Sequence, residues 1–351
     1  MKGKMKAAVL YGLKDMKVNL IDIPTILDNE ALIKVKYAGI CGSDIPRAMI
    51  TGARKYPIIL GHEFSGEVVE TGIGVKKVKN GDRVVVAPLI GCGECVYCRS
   101  GHYGLCDNYS IIGTGSDGAF AEYVKAPENS ILKINDKLSF KAAAGIEPAT
   151  IGYHALEKAD IKPGETVVIM GCGSIGQLTI QWAKIFGAST VIGVDISNEK
   201  LNLAKNLGCD IIINSSETNV ISRINEITNG GADVVIETAG SPITQQQSIL
   251  STKKMGRTIF VGITNKDLNL DKETVDRVLR GEIMIQGSWN SYTAPYPGIA
   301  WSTAIDFMSK GKINFDDIVS HIIRLEDVVD YLRGMADHSI EYNKVLICLD
   351  E

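Results

Sequence analysis

Residues 165–262 alternate apolar strands with helical segments, and this alternation restricts the possible folds more than any other feature. TVVIM, TVIGVD, CDIIIN, ADVVIETAG and GRTIFVG have the composition of strands, and segments such as SIGQLTIQWAKIFGA have that of helices. Strands that are apolar along their whole length need cover on both faces, and helical crossovers make neighbouring strands parallel. The pattern therefore predicts an α/β domain with a doubly wound parallel sheet.

The sequence GCGSIG follows the first of these strands directly and opens the first helix. Its glycines allow a tight turn, close approach of the backbone to a pyrophosphate and close packing of helix on strand. The free N–H groups of the helix N-terminus attract phosphate.

An acid ends the next strand, nineteen residues after the last glycine. It can bind the ribose hydroxyls and repel a 2′-phosphate, which predicts NAD rather than NADP. A glycine turn alone would also fit other α/β proteins, but here strand, glycines, helix and acid follow in the required order. The candidate cofactor-binding residues are Gly171, Gly173, Ser174, Ile175, Gly176 and Asp195.

The flanking regions have a different character. Residues 30–90 are rich in β-branched strands, and GAFAEYVKAP adds another. FKAAAGIEPATIGYHALEKA has a helical composition, with Pro148 expected to break it. Towards the C-terminus we expect a helix from Trp301 to Lys310, a strand from Ile318 to Arg324, a second helix and the strand KVLICL.

Four of the eight cysteines lie within fifteen residues, in the loop-like stretch GCGECVYCRSGHYGLC. Their spacing is C-x2-C-x2-C-x7-C, and four thiolates can close a tetrahedral shell around zinc. A closed shell has no open position for a substrate, so we predict a structural zinc. The predicted ligands are Cys92, Cys95, Cys98 and Cys106.

A catalytic zinc needs protein ligands and one exchangeable position, so its ligands must lie outside this cluster. Candidates are Cys41 in GICGSD, His62 and Glu63 in GHE, and Glu147 in the pair Glu-Pro. Taken singly, a Cys or His is more often a packing or surface residue. Spacing alone does not assemble these four residues into one site.

Composition excludes several other classes of function. The formal net charge of the 351 residues is −4, which gives no basic field for nucleic acid. The basic N-terminal stretch is not followed by the apolar core of a signal peptide, and no apolar run is long enough to span a bilayer. We therefore expect a cytoplasmic protein with no nucleic-acid or membrane partner, whose reduced cysteines pack or bind metal.

In this order along the chain, AGICGSD, LGHEFSGEV, GDRV, the four-cysteine stretch, the Glu-Pro pair, GCGSIG and VD resemble the zinc-containing medium-chain alcohol and polyol dehydrogenases. The likeness extends over nearly the whole sequence. It implies a GroES-like β-rich catalytic domain, formed by residues 1–151 and 292–351. This domain is split around a Rossmann NAD-binding domain of residues 152–291, with the active site in the cleft between them.

The resemblance also assigns roles to the scattered residues. Cys41 and His62 match ligands of the catalytic zinc, and Glu147 matches a carboxylate that binds the zinc directly or through water. Glu63 matches an acid that can bind the metal or stand off. With the cysteine loop, the resemblance implies two zinc ions per chain and NAD as cofactors.

Two further matches concern the orientation of the His ligand and the proton that leaves the substrate. Asp44 matches the partner that orients the His ligand, and Ser43 matches the hydroxyl of a proton relay. Many family members carry a His shortly after this stretch, whereas this sequence has Pro46 and then Arg47. The relay that ends in His is therefore not expected, and water or the cofactor ribose can carry the proton instead.

Within the family, two stretches are closest to dehydrogenases of polyol phosphates: CGSDIPRAMITGARKYPIILGHEFSG and GSWNSYTAPYPGIAW. We therefore predict oxidation of a secondary hydroxyl of a polyol phosphate, with Arg47 binding the phosphate through its planar fork. Trp289, Asn290 and Tyr292 are expected to line the sugar pocket, although aromatic residues also serve core packing.

Two alternatives remain at this point. One is a dehydrogenase of unphosphorylated polyols, and the other, of a different class, is a zinc-binding module without activity. The segment IMIQGSW resembles the one through which such dehydrogenases pair their Rossmann sheets, so we expect a homodimer or homotetramer.

Overall fold

The structure is a computed structural model that describes residues 1–264 and 266–349. The chain divides into two compact units, one formed by Met1–Glu147 and the chain from Ser291 onwards, the other by Pro148–Asn290. The domain boundaries expected from the family resemblance, at 151/152 and 291/292, stay a prediction. Within the described residues, no helix is long and apolar enough to cross a bilayer.

The N-terminal part of the first unit is rich in strands, as its β-branched composition predicts. The strands are β1 (Lys4–Gly12), β2 (Asp15–Asp22), β3 (Glu30–Ile40), β4 (Ile58–Ile59), β5 (Glu63–Thr71), β6 (Arg83–Val86), β7 (Leu89–Ile90), β8 (Ser110–Ile111), β9 (Tyr123–Pro127) and β10 (Ile131–Lys133). Three short helices interrupt them: α1 (Asp44–Met49), α2 (Val96–Arg99) and α3 (Phe140–Ala143).

The expectation that Pro148 breaks the helical stretch is wrong. Helix α4 (Ile146–Lys158) begins two residues before the proline, and the interruption lies at residues 144–145, between α3 and α4. Pro148 is in the first turn, where backbone N–H groups have no acceptor within the helix, so its missing N–H costs nothing. The same turn carries Glu147 next to the positive end of the helix dipole.

The second unit is the alternating region. It contains β11 (Thr166–Met170), α5 (Ser174–Ile185), β12 (Thr190–Asp195), α6 (Asn198–Asn206), β13 (Ile211–Asn214), α7 (Val220–Thr228), β14 (Ala232–Glu237), α8 (Pro242–Leu250), β15 (Thr252–Phe260), α9 (Lys272–Gly281) and β16 (Met284–Gly287). All its strand pairs are parallel, in the order β13-β12-β11-β14-β15-β16. This is the order of a Rossmann sheet, and the prediction of a doubly wound parallel sheet is confirmed.

The C-terminal segment returns to the first unit with α10 (Ile299–Ser309), β17 (Val319–Arg324), α11 (Val328–Ala336) and β18 (Lys344–Cys348). Strand β18 pairs with the N-terminal strand β3, with Val345 opposite Ile40. The large sheet therefore runs β10-β6-β5-β3-β18-β17, with β9 also paired to β3. Strands from both ends of the sequence therefore share one sheet, and the Rossmann unit is inserted in the sequence between them.

Each unit has a buried apolar core. In the first, Ile33, Val68 and Val345 come from β3, β5 and β18 and are fully buried. In the second, Val168 and Ile192 belong to a buried cluster on the central strands β11 and β12. These cores fix the ends of the strands, where the candidate functional residues lie.

Candidate metal centres and nucleotide-binding loop

Cys41, His62 and Glu63 converge, with their ligand atoms all within 4.8 Å of one another. Cys41 directly follows β3, and Glu63 begins β5 with His62 just before it. The register of this antiparallel pair sets Gly39 opposite Glu63 and so brings the end of one strand to the start of the other. Sulfur, imidazole nitrogen and carboxylate oxygen, converging in the domain interior, are a donor set suited to zinc.

Asp44 supports this cluster from behind. Its buried side chain accepts a hydrogen bond from the Cys41 N–H at 3.0 Å, and its other oxygen lies 3.6 Å from His62 Nδ1. Neither Asp44 Oδ1 nor His62 Nδ1 has a hydrogen-bond partner among the described residues. A carboxylate facing Nδ1 leaves Nε2 of the imidazole available to a metal. Burial raises the pKa of Asp44, and the nearby His62 and Arg47 lower it.

Glu147 lies outside the group of three but interacts with it electrostatically. Burial raises the pKa of Glu147 to about 7, and the charges of His62, Glu63 and Lys344 also act on it. Burial likewise raises the pKa of the Cys41 thiol, and the surrounding carboxyl groups raise it further. Several acidic groups thus share a small volume, and a bound divalent cation would neutralise them and favour the thiolate.

Lys344 is a member of this site that the sequence analysis missed. It begins β18, is 3% exposed, forms an ion pair with Glu63 and donates to the Ile40 carbonyl at 3.0 Å. Burial lowers the pKa of Lys344, but the neighbouring Glu63 and Cys41 outweigh that effect and raise it above its usual value. A lysine that leads into an apolar strand such as KVLIC was the available signal, because a buried ammonium needs a partner.

Ser43 and Arg47 are linked to Cys41 by a chain of hydrogen bonds. The Ser43 hydroxyl donates to Cys41 Sγ at 3.3 Å, and Arg47 Nη1 donates to the Ser43 hydroxyl oxygen at 2.6 Å. The Arg47 side chain is 31% exposed. The structure therefore brings together Cys41, Ser43, Asp44, His62 and Glu63, with Arg47 adjoining them.

The four cysteines of the loop form a second cluster, with their sulfur atoms also within 4.8 Å of one another. Backbone N–H groups point to the sulfurs: Cys92 N–H to Cys106 at 3.2 Å, Cys95 N–H to Cys92 at 3.4 Å and Cys98 N–H to Cys95 at 3.4 Å. Amide donation from Cys98 and Asp107 lowers the pKa of Cys95 to about 6. These donors stabilise thiolate, which is the form that binds zinc.

The glycine motif forms the turn between β11 and α5. Gly171 has φ of +96°, which favours glycine, and a Cβ on Gly176 would collide with the Gly171 carbonyl. Gly173 precedes α5, and a Cβ there would meet no atom of the described residues within 4 Å. It therefore leaves open space at the helix N-terminus, which begins with Ser174 and Ile175. Such a cradle suits a phosphate.

Asp195 ends β12 beside this turn. Its carboxylate accepts from the Cys172 N–H at 2.7 Å and from the Ser197 N–H at 3.0 Å. The side chain is partly exposed, so lone pairs remain for a ligand hydroxyl. At the end of β14, two strands along the sheet, the buried Glu237 accepts from the N–H groups of Ala239 and Gly240.

The predicted sugar-pocket residues have different surroundings. Trp289 is 45% exposed, and Asn290 has φ of +49° with a buried Nδ2 that has no hydrogen-bond partner in the described part of the chain. Tyr292 is 3% exposed and packs in an aromatic cluster, with its ring centroid 5.6 Å from Trp301 and 6.1 Å from Tyr296. Burial raises the pKa of Tyr292, and Glu147 raises it further.

A Rossmann sheet, a phosphate-type glycine turn and two clusters of zinc-type ligands define a class of protein, the zinc-binding dehydrogenases. Comparison with family models agrees with this class. The alcohol dehydrogenase GroES-like domain matches residues 27–136, and the zinc-binding dehydrogenase domain matches residues 174–310. The chain belongs to the zinc-containing medium-chain alcohol and polyol dehydrogenases, as its sequence motifs predict.

Several individual relatives are dehydrogenases of polyols or polyol phosphates. Galactitol 1-phosphate 5-dehydrogenase of Escherichia coli K12 is 35% identical over 91% of this chain and 92% of its own. Its crystal structure superposes with a TM-score of 0.93 and 34% identity, over 98% of this chain and 100% of that one. Sorbitol dehydrogenase of Bacillus subtilis is 36% identical over 98% and 97% of the two chains. A putative zinc-binding dehydrogenase of Sinorhizobium meliloti, bound to NADP, superposes with a TM-score of 0.92 and 32% identity over 99% of both chains.

Proposed function

We propose that this protein oxidises a secondary hydroxyl of a polyol phosphate and transfers the hydride to NAD. The specific reaction is galactitol 1-phosphate to tagatose 6-phosphate. The observation that carries the proposal is the convergence of Cys41, His62 and Glu63 in a chain whose other domain has a dinucleotide-type glycine turn.

The residues of the first cluster fit a catalytic zinc. Cys41 and His62 would hold it, and Asp44 would orient the imidazole of His62. Glu63 and Glu147 would either bind the zinc or lie near it without binding. When bound, zinc acts as a Lewis acid on a substrate hydroxyl. Ser43 would relay the released proton, accepting it as its own hydroxyl proton passes on to water or to the cofactor ribose; this hydroxyl lies at hydrogen-bonding distance from Cys41 Sγ.

The second cluster fits a structural zinc held by Cys92, Cys95, Cys98 and Cys106. Four sulfurs complete a tetrahedral shell and leave no place for a substrate. We therefore propose two zinc ions per chain. A metal analysis that finds two zinc ions supports the enzyme, whereas one zinc ion with no turnover of any polyol would favour a binding module.

NAD is proposed because Asp195 ends β12 with a carboxylate beside the glycine turn. A negative charge there accepts bonds from ribose hydroxyls and disfavours a 2′-phosphate. The S. meliloti relative is bound to NADP, so the comparison of NAD with NADP as co-substrates tests this choice directly.

The phosphate ester is proposed over the free polyol on the two stretches around Arg47 and Trp289 that resemble polyol-phosphate dehydrogenases. The roles of Arg47, Trp289, Asn290 and Tyr292 as substrate contacts stay predictions. The test is kcat/KM with NAD for galactitol 1-phosphate, galactitol and sorbitol. A large preference for galactitol 1-phosphate is expected, and equal values would contradict it.

A sorbitol-type dehydrogenase is the second candidate, favoured by a relative of almost the same identity. A preference for sorbitol in the same measurement would establish it. The proposed cytoplasmic location is a separate prediction that this measurement does not touch.

A homodimer or homotetramer is proposed on the edge strand β16, where Met284 and Ile285 are 55% and 38% exposed. An unpaired edge with apolar side chains favours pairing with a second copy. Light scattering after gel filtration measures the molar mass, and a monomer would contradict the proposal.

A further inference from the structure

Arg47 makes short hydrogen bonds inside the catalytic motif instead of extending into solvent. It lies on α1, four residues after Ser43, and its Nη1 donates to the Ser43 carbonyl at 2.7 Å and to the Ser43 hydroxyl oxygen at 2.6 Å. Hydrogen bonds from a charged donor are the strong ones. The side chain is thus held in one orientation against Ser43.

Through Ser43, the guanidinium is linked to the first predicted metal ligand. Because the hydroxyl oxygen accepts from Arg47, its own proton is left to be donated, and it is directed to Cys41 Sγ at 3.3 Å. Arg47 therefore determines the direction of the Ser43 hydroxyl. A hydroxyl without this donor would rotate among several acceptors.

Through Asp44, the same guanidinium faces the second predicted ligand. Arg47 Nη1 is 3.9 Å from Asp44 Oδ1, and that oxygen is 3.6 Å from His62 Nδ1. Asp44 is fully buried, so its charge needs compensation. Lys344 pairs with Glu63, and among the lysines and arginines that the structure describes, Arg47 is the one that pairs with Asp44.

We propose that Arg47 is a positioning residue of the catalytic centre, which orients the Ser43 hydroxyl beside Cys41 and balances the Asp44 carboxylate behind His62. This rests on the proposed function, because it takes Cys41 and His62 as metal ligands. It differs from the predicted phosphate contact. A guanidinium stays charged and has no acceptor, so Arg47 does not carry the proton that Ser43 relays.

Arg47→Met tests the proposal, with Arg54→Met as the matched control, since Arg54 is an exposed arginine seven residues further along. The first readout is the visible spectrum of the holoenzyme after cobalt replaces zinc at the exchangeable site. A shift in the cobalt–thiolate absorption is expected for Arg47→Met and none for Arg54→Met, because only Arg47 is linked to Cys41 through Ser43.

The second readout is kcat/KM with galactitol 1-phosphate and with galactitol. A positioning residue acts on the reacting hydroxyl, so both substrates should lose roughly 10–100-fold and their ratio should stay constant. A phosphate contact would instead lose the phosphate ester selectively. Either an unchanged cobalt spectrum or a selective loss on the phosphate ester overturns the proposal.

If Arg47→Met does not fold, Arg47→Gln keeps an uncharged donor and is measured in the same way. Failure of the proposed function gives a different result. A wild-type protein that oxidises neither polyol would refute the proposed substrates, while the cobalt spectra of the two variants would still report whether Arg47 supports the metal ligands.

Discussion

Lys344 and Glu63 form an ion pair in the interior of the β-rich domain, with side-chain exposures of 3% and 2%. Lys344 reaches Glu63 because β18 and β5 both pair with β3, and β5 begins at Glu63. The C-terminal strand therefore supplies the countercharge for a carboxylate of the predicted metal site.

The first prediction is that Lys344→Met destabilises the protein by roughly 3–5 kcal/mol when no metal is bound beside Glu63, because Glu63 then keeps a buried charge without its partner. Urea unfolding measures the change in the free energy of unfolding. Lys310→Met is the control, since that lysine pairs with Asp306 at exposures of 63% and 48% and should change stability by no more than about 0.5 kcal/mol. Equal effects of the two variants would contradict a buried ion pair.

The second prediction concerns Cys41→Ser. Turnover should fall by more than the roughly 100-fold that loss of an outer partner costs, because a metal ligand itself is removed. NAD binding, measured by fluorescence titration, should persist, since the glycine turn belongs to the other compact unit. Near-normal activity in this variant would exclude Cys41 as a ligand of the catalytic metal.

The third prediction is the counterpart in the cysteine loop. Cys98→Ser should lower thermal stability or assembly first, because it opens a shell that folds the loop. Zinc content should drop by about one ion per chain. If the variant stayed as stable as the wild type and retained its other zinc but lost turnover, the loop would have a catalytic role instead.

The fourth prediction separates two glycines of the nucleotide turn. Gly176→Ala should destabilise the protein by roughly 1–3 kcal/mol, because its Cβ would collide with the Gly171 carbonyl. Gly173→Ala should change stability by no more than about 1 kcal/mol, since its Cβ meets open space, yet raise the Kd for NAD by at least about tenfold. Unfolding curves and NAD titrations of both variants measure these effects. Normal NAD binding by Gly173→Ala would refute the assignment.

The fifth prediction is a pH effect. Burial raises the pKa of Glu237 above its ordinary 4.5, so the folded protein holds this proton more tightly than the unfolded chain. The contribution of the protonated Glu237 to stability is therefore fully present below pH 4.5, and it is lost as pH rises through the pKa of Glu237 in the folded protein. Glu237→Gln removes this loss, so its stability relative to wild type should improve between pH 4.5 and neutral pH.

Urea unfolding over that range measures the effect of Glu237→Gln, and the exposed Glu273→Gln serves as the control. A stability difference from wild type that is independent of pH would contradict the prediction.

The Rossmann unit and the cysteine loop could be predicted from the sequence because their information is local. Each strand before a helix, and each cysteine of C-x2-C-x2-C-x7-C, lies close to its partners along the chain. The predicted Pro148 break failed for an equally local reason, since a proline in the first helical turn and a proline that ends a helix look alike in sequence.

The cluster of Cys41, His62 and Glu63 could not be predicted in this way. Cys41 and His62 meet only because Gly39 pairs with Glu63, and a shift of that register by one residue would turn the side chains to opposite faces. Lys344 arrives from the far end of the chain through β18. Nothing near either position in sequence encodes these pairings, so the family resemblance was needed to propose the cluster.

Asp195 has two tasks that compete when the cofactor is changed. The carboxylate proposed to bind the ribose hydroxyls also accepts a hydrogen bond from the Cys172 N–H, which links the end of β12 to the glycine turn. Asp195→Ala, made to admit NADP, would therefore also remove the hydrogen bond that links β12 to this turn. Asp195→Asn, which drops the charge but keeps an acceptor, is the substitution from which a redesign of cofactor preference should start.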